Sequence, residues 1–284
     1  MIEKILLANS GTGNTEAMMK VLMEIPLIQR AEVTVLHVVP PQVTAEEMTN
    51  KWEAGGKTLA EAINTLSLDP KRVMAMLREG DPKDVVCKVA EETDASLVIM
   101  GSRGLRGLQA ILENSVSQYV FQLASRPMLL VKDDLYTIRP IKRVLVALDK
   151  SDSAQQGLKL ALSMLRDVKE GELILVHSVS NLKAKPLEET NPNPEKDPVL
   201  AAAIAEAKRF GIKYRCVAPE GKAGQRICQL AEDMNVNLLI LGSPDRRPSI
   251  AKGLPDLDRL LGESLSDYVR VYAPCPVLLT RMSA

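Results

Sequence analysis

Gly101-Ser-Arg-Gly104 stands at the end of an apolar run, and after nine further residues comes Asn114-Ser-Val-Ser117. Glycines directly after a strand let the backbone approach an anion closely and aim N–H groups at it. A helix opening at Ser115, Val116 and Ser117 would add free N–H groups, the positive end of its dipole and two hydroxyls. Together the two stretches form a cradle for a chain of phosphates. The same pattern returns later in damaged form, as Gly242-Ser-Pro-Asp245 followed by Gly262-Glu-Ser-Leu-Ser266. There the second glycine is gone, Pro244 has no N–H to donate, and Asp245 and Glu263 would face phosphate with negative charge. Another anion-type loop, Ser10-Gly-Thr-Gly-Asn-Thr15-Glu16, follows the first apolar run and opens a helix.

Other chemistry is sparse. Cys87, Cys216, Cys228 and Cys275 lack CxxC spacing, and His37 and His177 are the sole imidazoles, so no metal site is expected. Both histidines close an apolar run, which reads as packing within a strand. The cradle has neither a Walker-type lysine nor paired carboxylates, so no catalytic residue is assigned and binding is expected over turnover. With 36 basic and 36 acidic side chains the net charge is zero, which argues against nucleic acid and anionic lipid as partners. No basic leader opens the chain, and no uncharged apolar run approaches the roughly 18 residues of a spanning helix. A cytoplasmic location is expected.

These loops must be positioned by alternating strands and helices. The 284 residues are too many for one ordinary α/β core and suit two. Strands are expected at Lys4–Ala8, Val33–Val38, Arg72–Leu77, Leu97–Met100 and Met128–Val131, and again at Arg143–Leu148, Leu173–His177, Lys213–Val217, Leu238–Leu241 and Val277–Leu279. Helices are expected near Thr15–Ile28, Ala45–Leu66, Pro82–Glu92 and Ser115–Leu123, then Ser153–Leu165, Val199–Phe210, Gln225–Asp233 and Asp256–Val271. The fold class is α/β: two tandem doubly wound domains, each a five-stranded parallel sheet flanked by helices, Rossmann-like with strand order 3-2-1-4-5. The domains span 1–137 and 138–284.

The repeat has a measurable register. Leu6 matches Leu145 at an offset of 139, His37 matches His177 at 140, and Gly101 matches Gly242 at 141. Ser115 matches Ser264, Tyr119 matches Tyr268 and Pro127 matches Pro276, all at 149, so eight residues are inserted inside the second glycine loop. The segment Asp133–Pro140 is a short linker that holds the copies close. Lys183–Pro198, with four prolines, reads as a surface loop.

The glycine spacing, the Ser-Val-Ser helix start and the closing strands in Ser125-Arg-Pro-Met-Leu-Leu-Val131 and Ala273-Pro-Cys-Pro-Val-Leu-Leu279 resemble the universal stress protein family, in two copies across the whole chain. The nucleotide-binding branch of that family carries G-x2-G-x9-G-S/T. The resemblance implies a stress-response regulatory protein that binds ATP or a related adenine nucleotide, with Mg2+ as a candidate companion and at most slow ATP hydrolysis. Phosphate would be held by Gly101, Ser102, Arg103, Gly104, Asn114, Ser115, Val116 and Ser117. Ala8, Asn9, Ser10, Val38 and Met100 would border base and sugar. Asn114 replaces the third glycine and is the residue that best combines left-handed tolerance with helix capping. Ser10 stands where the family has an aspartate, which Asp149 restores in the second copy. That copy is nevertheless expected not to bind ATP in the family manner. Arg246 and Arg247 could serve another anion, though a solvated loop is the plainer reading.

The resemblance also implies that the two domains meet through their closing strands, as an intramolecular pseudo-dimer. A homodimer of whole chains and an unidentified protein partner stay open. Two other functions compete: a scaffold with both sites idle, and an FMN-binding carrier, since Ser10–Glu16 looks like the phosphate loop of flavodoxins. Against flavin stand only eight aromatic residues, with neither Trp52 nor Tyr119 obviously beside the crevice.

Overall fold

The computed structural model describes residues 2–11, 13, 15–102, 116–132, 137–178, 193–243 and 264–281. The strands are β1 Lys4–Ala8, β2 Glu32–Val39, β3 Val73–Glu79, β4 Leu97–Ser102 and β5 Met128–Lys132 in the first half. In the second they are β6 Arg143–Ala147, β7 Glu172–Val176, β8 Lys213–Val217, β9 Leu238–Gly242 and β10 Val277–Thr280. All ten form one sheet in the order β3-β2-β1-β4-β5-β10-β9-β6-β7-β8. Each half therefore has the expected 3-2-1-4-5 order. Within the halves neighbours are parallel, while β5 and β10 pair antiparallel, Leu278 opposite Leu129. The closing strands lie at the centre of this mixed sheet. Their continuous apolar sequence fits that place, because strands covered on both faces need no polar alternation.

The helices are α1 Thr15–Met23, α2 Ala45–Leu66, α3 Pro82–Glu92 and α4 Val116–Leu123, then α5 Asp152–Leu165, α6 Pro198–Arg209, α7 Ala223–Asp233 and α8 Leu265–Tyr272. Their starts follow local chemistry. Thr44 and Glu47 make a reciprocal capping box on α2, while Asp81 and Asp197 cap α3 and α6 ahead of a proline in the first turn. Helix α1 is shorter than expected, ending at Met23. Pro26 has no N–H to donate and keeps Ile25 out of the helical region, although Ile25 and Ile28 stay buried. Helix α8 begins at Leu265 behind its cap Ser264, and the expected earlier turns, 256–263, lie outside the described residues. So do 133–136 of the linker and 183–192 of the proline-rich loop. Beyond that gap Pro194–Lys196 forms a 3-10 turn and Pro198 opens α6, so the far end of the loop is ordered structure.

The sheet separates two apolar layers. On one face Ile5, Leu7, Val33 and Val35 pack against Met18 and Met19 of α1 and Leu59 and Ala62 of α2, joined by residues of α5 and α6. On the other, Leu6, Leu36 and Val98 meet Val86 of α3, Phe121 of α4, Ile227 of α7 and Val269 of α8. This alternation is the period of a strand. Among the described residues no helix is long and apolar enough to cross a membrane.

Two ion-paired carboxylates, one buried and one half-buried, are expected to make the fold acid-sensitive. Glu172, at the start of β7, accepts from Arg215 Nε at 2.7 Å with Lys213 Nζ at 3.5 Å. Burial raises its pKa, but the hydrogen bond and charge of Arg215 and then Lys213 outweigh burial and hold it below the usual value. Asp197 behaves alike: burial opposes ionisation, and the His177 hydrogen bond with the Leu200 and Val199 amides lowers the pKa overall. Both folded values lie under the unfolded ones of about 4.3 and 3.9, so their stabilisation is present above those values and is lost as pH falls through the folded ones. The urea midpoint should drop as pH falls below about 4. Glu172→Gln with Asp197→Asn should flatten that slope, and an unchanged slope in the double variant would refute the assignment.

Candidate functional site

After β1 the chain turns to α1 on one face of the sheet, and the helix that precedes β5, α4, lies on the other. The carboxyl ends of β1 and β4, which are parallel neighbours, therefore open a crevice at the point where strand order reverses. A cavity of about 540 Å³ lies there. Ala8, Asn9 and Ser10 line it from the end of β1, Val38 from β2, Met100 and Gly101 from β4, and Val116 and Ser117 from the start of α4. The structure thus brings these eight expected residues together. Ser102 is buried one residue further along β4 and is not among the lining residues. Arg103, Gly104, Asn114 and Ser115 lie outside the described residues.

Asn9 organises the turn. Its backbone N–H donates to Leu36 O at 2.8 Å, its side-chain Oδ1 accepts from Gly11 N at 2.8 Å, and its Nδ2 donates to Glu16 Oε1 at 2.9 Å. Gly11 takes a positive φ of 84°, and a Cβ there would sit 3.0 Å from Thr58 Cγ2. The loop that looked like a flavodoxin phosphate grip has therefore committed the Gly11 N–H to Asn9 and holds the carboxylate of Glu16 close by. Thr12 and Asn14 of that loop lie outside the described residues. Trp52 and Tyr119 are both helical, in α2 and α4, and neither lines the cavity.

The expectation that both histidines simply pack within strands needs correction. His37 lies in β2 and lines the cavity, with Nδ1 2.8 Å from Asn9 O. A carbonyl can only accept, so Nδ1 carries a proton in this contact and neutral His37 keeps its lone pair on Nε2. His177 lies one residue beyond β7 and binds Asp197 Oδ2 through Nδ1 at 2.7 Å. Equivalent in sequence, the two rings do different work because their neighbours differ.

The α2 wall of the cavity was not anticipated. Lys51, Ala54, Gly55 and Thr58 line it at helical spacing. Gly55 allows the close approach, since a Cβ there would lie 3.0 Å from His37 Cδ2 and Leu77 Cδ1 and 3.1 Å from Val39 Cγ2. No local pattern marks this wall, since Ala54 and Gly55 are neighbours in sequence and Gly55 matters through the distant residues it approaches. Pro82 and Val86 of α3 complete the opposite wall. Among the described lining residues Lys51 is the charged one, and none is Asp or Glu. The lining thus offers hydroxyls, a helix start and a lysine.

A Cβ on Gly242, the counterpart of Gly101, would lie 2.7 Å from Ala154 N and 2.8 Å from Ser153 Oγ, so the start of α5 abuts the end of β9. Asp149 accepts from the Ser151 N–H and hydroxyl, and Ser151 Oγ in turn accepts from Ala154 N. Residues 244–263, which include Pro244, Asp245, Arg246, Arg247 and Glu263, lie outside the described residues. The four cysteines are free thiols. Burial above all pushes Cys87, Cys216 and Cys228 up to about 11 and Cys275 to about 12, far from the thiolate a nucleophile needs.

A doubly wound unit repeated along one chain, with a crevice at the switch point of the first, defines a tandem α/β protein with two Rossmann-like halves. The model of the Universal stress protein family matches residues 1–132 and again 140–281, and the chain belongs to that family. It is 26% identical over 148 residues to universal stress protein YxiE of Bacillus subtilis, covering 46% of this chain and 100% of the relative. A universal stress protein of Thermus aquaticus is 28% identical over 139 residues, with 46% of this chain and 100% of the relative covered. Among solved structures, a universal stress protein from Archaeoglobus fulgidus matches with a TM-score of 0.76 at 22% identity, covering 99% of this chain and 97% of that one. That likeness extends the shared fold over both halves.

Proposed function

We propose that the first unit, residues 1–137, binds ATP or a related adenine nucleotide and that the protein acts as a cytoplasmic stress-response binding protein. The observation that carries this reading is the cavity at the β1/β4 switch point. It gathers Gly101, the start of α4 and Lys51 with no carboxylate among its described lining residues. The phosphates would lie against Gly101 and the N–H groups of α4, and the base and sugar beside Ala8, Asn9, Ser10 and Val38. Those lining residues offer no carboxylate to hold Mg2+, so the proposal assigns it no ligand from the chain. The second unit, 138–284, completes an intramolecular pseudo-dimer without taking ATP in the same manner. Flavin is disfavoured because the Gly11 N–H is already spent on Asn9.

The test is to denature freshly purified protein and identify the released small molecule by chromatography and mass. One adenine nucleotide per chain, or one-site binding by calorimetry with ATP and magnesium, is the expected result. No release and no heat of binding would overturn the proposal and leave the scaffold alternative standing. A yellow, FMN-containing protein would overturn it in favour of the carrier.

A further inference from the structure

Two buried cations cross the seam between the units in opposite directions. Lys132, the last residue of β5, is 3% exposed, and its ammonium donates to Val271 O at 2.7 Å and Ala273 O at 2.6 Å, at the carboxyl end of α8. Arg281, directly after β10, is 1% exposed, and its guanidinium donates to the carbonyls of Phe121 and Ala124 at the carboxyl end of α4. Its charge also lies 5.1 Å from the centre of the Phe121 ring. Positions 132 and 281 differ by 149, as do 124 and 273, the offset that relates Ser115 to Ser264. The exchange is thus one contact made twice, each unit capping a helix of the other.

A helix ends in carbonyls without intrahelical partners and with the negative pole of its dipole. A cation buried against them makes charge-assisted hydrogen bonds that resist displacement of the helix. The described residues of helix α4, Val116–Leu123, span about 12 Å at 1.5 Å per residue. Val116 and Ser117 at its start line the cavity, and the carbonyls at its far end are held by Arg281.

We infer that Arg281 of the second unit is a positioning residue for the cavity of the first. By gripping the carboxyl end of α4 it sets where the amino end stands against the ligand. The second unit then has a function in the first unit's site whether or not it binds a ligand of its own. The ligand-binding readout rests on the nucleotide reading proposed above. The brace itself does not.

The test uses the full chain with three substitutions. Arg281→Met removes the hydrogen bonds, Arg281→Lys reproduces the arrangement found at Lys132, and Lys132→Met breaks the equivalent contact on α8, which does not lead to this cavity. Arg281→Met should weaken ATP binding by about tenfold, read by calorimetry, and speed amide hydrogen exchange across 116–123. Arg281→Lys should restore both to within about threefold of the parent. Lys132→Met should loosen 265–272 and leave ATP affinity unchanged. Equal losses of affinity in Arg281→Met and Lys132→Met, or none in either, would overturn the inference. If the parent protein binds no ATP, the nucleotide reading fails on its own. Hydrogen exchange then decides the brace, and unaltered exchange at 116–123 in Arg281→Met refutes it. Should Arg281→Met not fold, Arg281→Gln, which keeps a donor for one carbonyl, takes its place under the same criteria.

Discussion

Gly242→Val is expected to cost about 3 kcal/mol of stability. The first atom of the new side chain would already lie 2.7 Å from Ala154 N, 2.8 Å from Ser153 Oγ and 3.0 Å from Ala154 Cα. Two of these are backbone atoms at the start of α5, which cannot rotate aside as a side-chain tip can. Helix α5 is also pinned: Thr280 Oγ1 donates to Ser153 O at 2.7 Å, and Ser151 caps the Ala154 amide. Either the helix start lifts from β9 or β9 shifts within the sheet, and both disturb a region where Ala154 and Leu241 are almost fully buried. Urea unfolding followed by circular dichroism checks this, and a midpoint equal to the parent's would show that the end of β9 has room the structure does not display.

Ser117→Asp is expected to raise the dissociation constant for ATP on the order of 100-fold while leaving the fold intact. Ser117 is buried in the first turn of α4 and lines the cavity beside Gly101. An aspartate there sits at the positive end of the helix dipole, which returns up to about 1 kcal/mol of the cost of burying its charge, so the variant is expected to be somewhat less stable but folded. The same carboxylate faces the phosphates, where a repulsion of a few kcal/mol at about 4 Å in a partly buried site outweighs the helix term for binding. Calorimetry with ATP beside thermal unfolding separates affinity from stability, and undiminished binding in a folded variant would place the phosphates elsewhere.

Much of the architecture was legible locally. The strands were found within about two residues because β-branched and aliphatic runs carry their own period, and α2 and α3 because Thr44, Asp81 and Pro82 write their starts in sequence. Helix α1 was overextended because the apolar spacing continues through Ile25 and Ile28, residues that stay buried after Pro26 has ended the helix. Eight of the expected site residues surround one cavity, since a glycine at the end of a strand and a hydroxyl at a helix start are local signatures. The α2 wall left no such signature, because Gly55 matters only through its approach to His37 and Leu77.

The repeat, its changing offset and the contrast between an intact and a damaged glycine loop can be read directly from the sequence, and the alternation of strands and helices implies the 3-2-1-4-5 order through the fold class it belongs to. The meeting of the closing strands was expected from the resemblance, but its antiparallel register, with Leu278 opposite Leu129, needed the folded molecule. So did the bond of His37 to Asn9, which spans 28 residues, and the grip of Arg281 on Ala124, which spans 157. Arg281 and Lys132 look in sequence like ordinary cations at strand ends. They become buried helix caps only when the antiparallel seam sets each against the carbonyl end of the other unit's helix, a proximity between distant residues that no local pattern encodes.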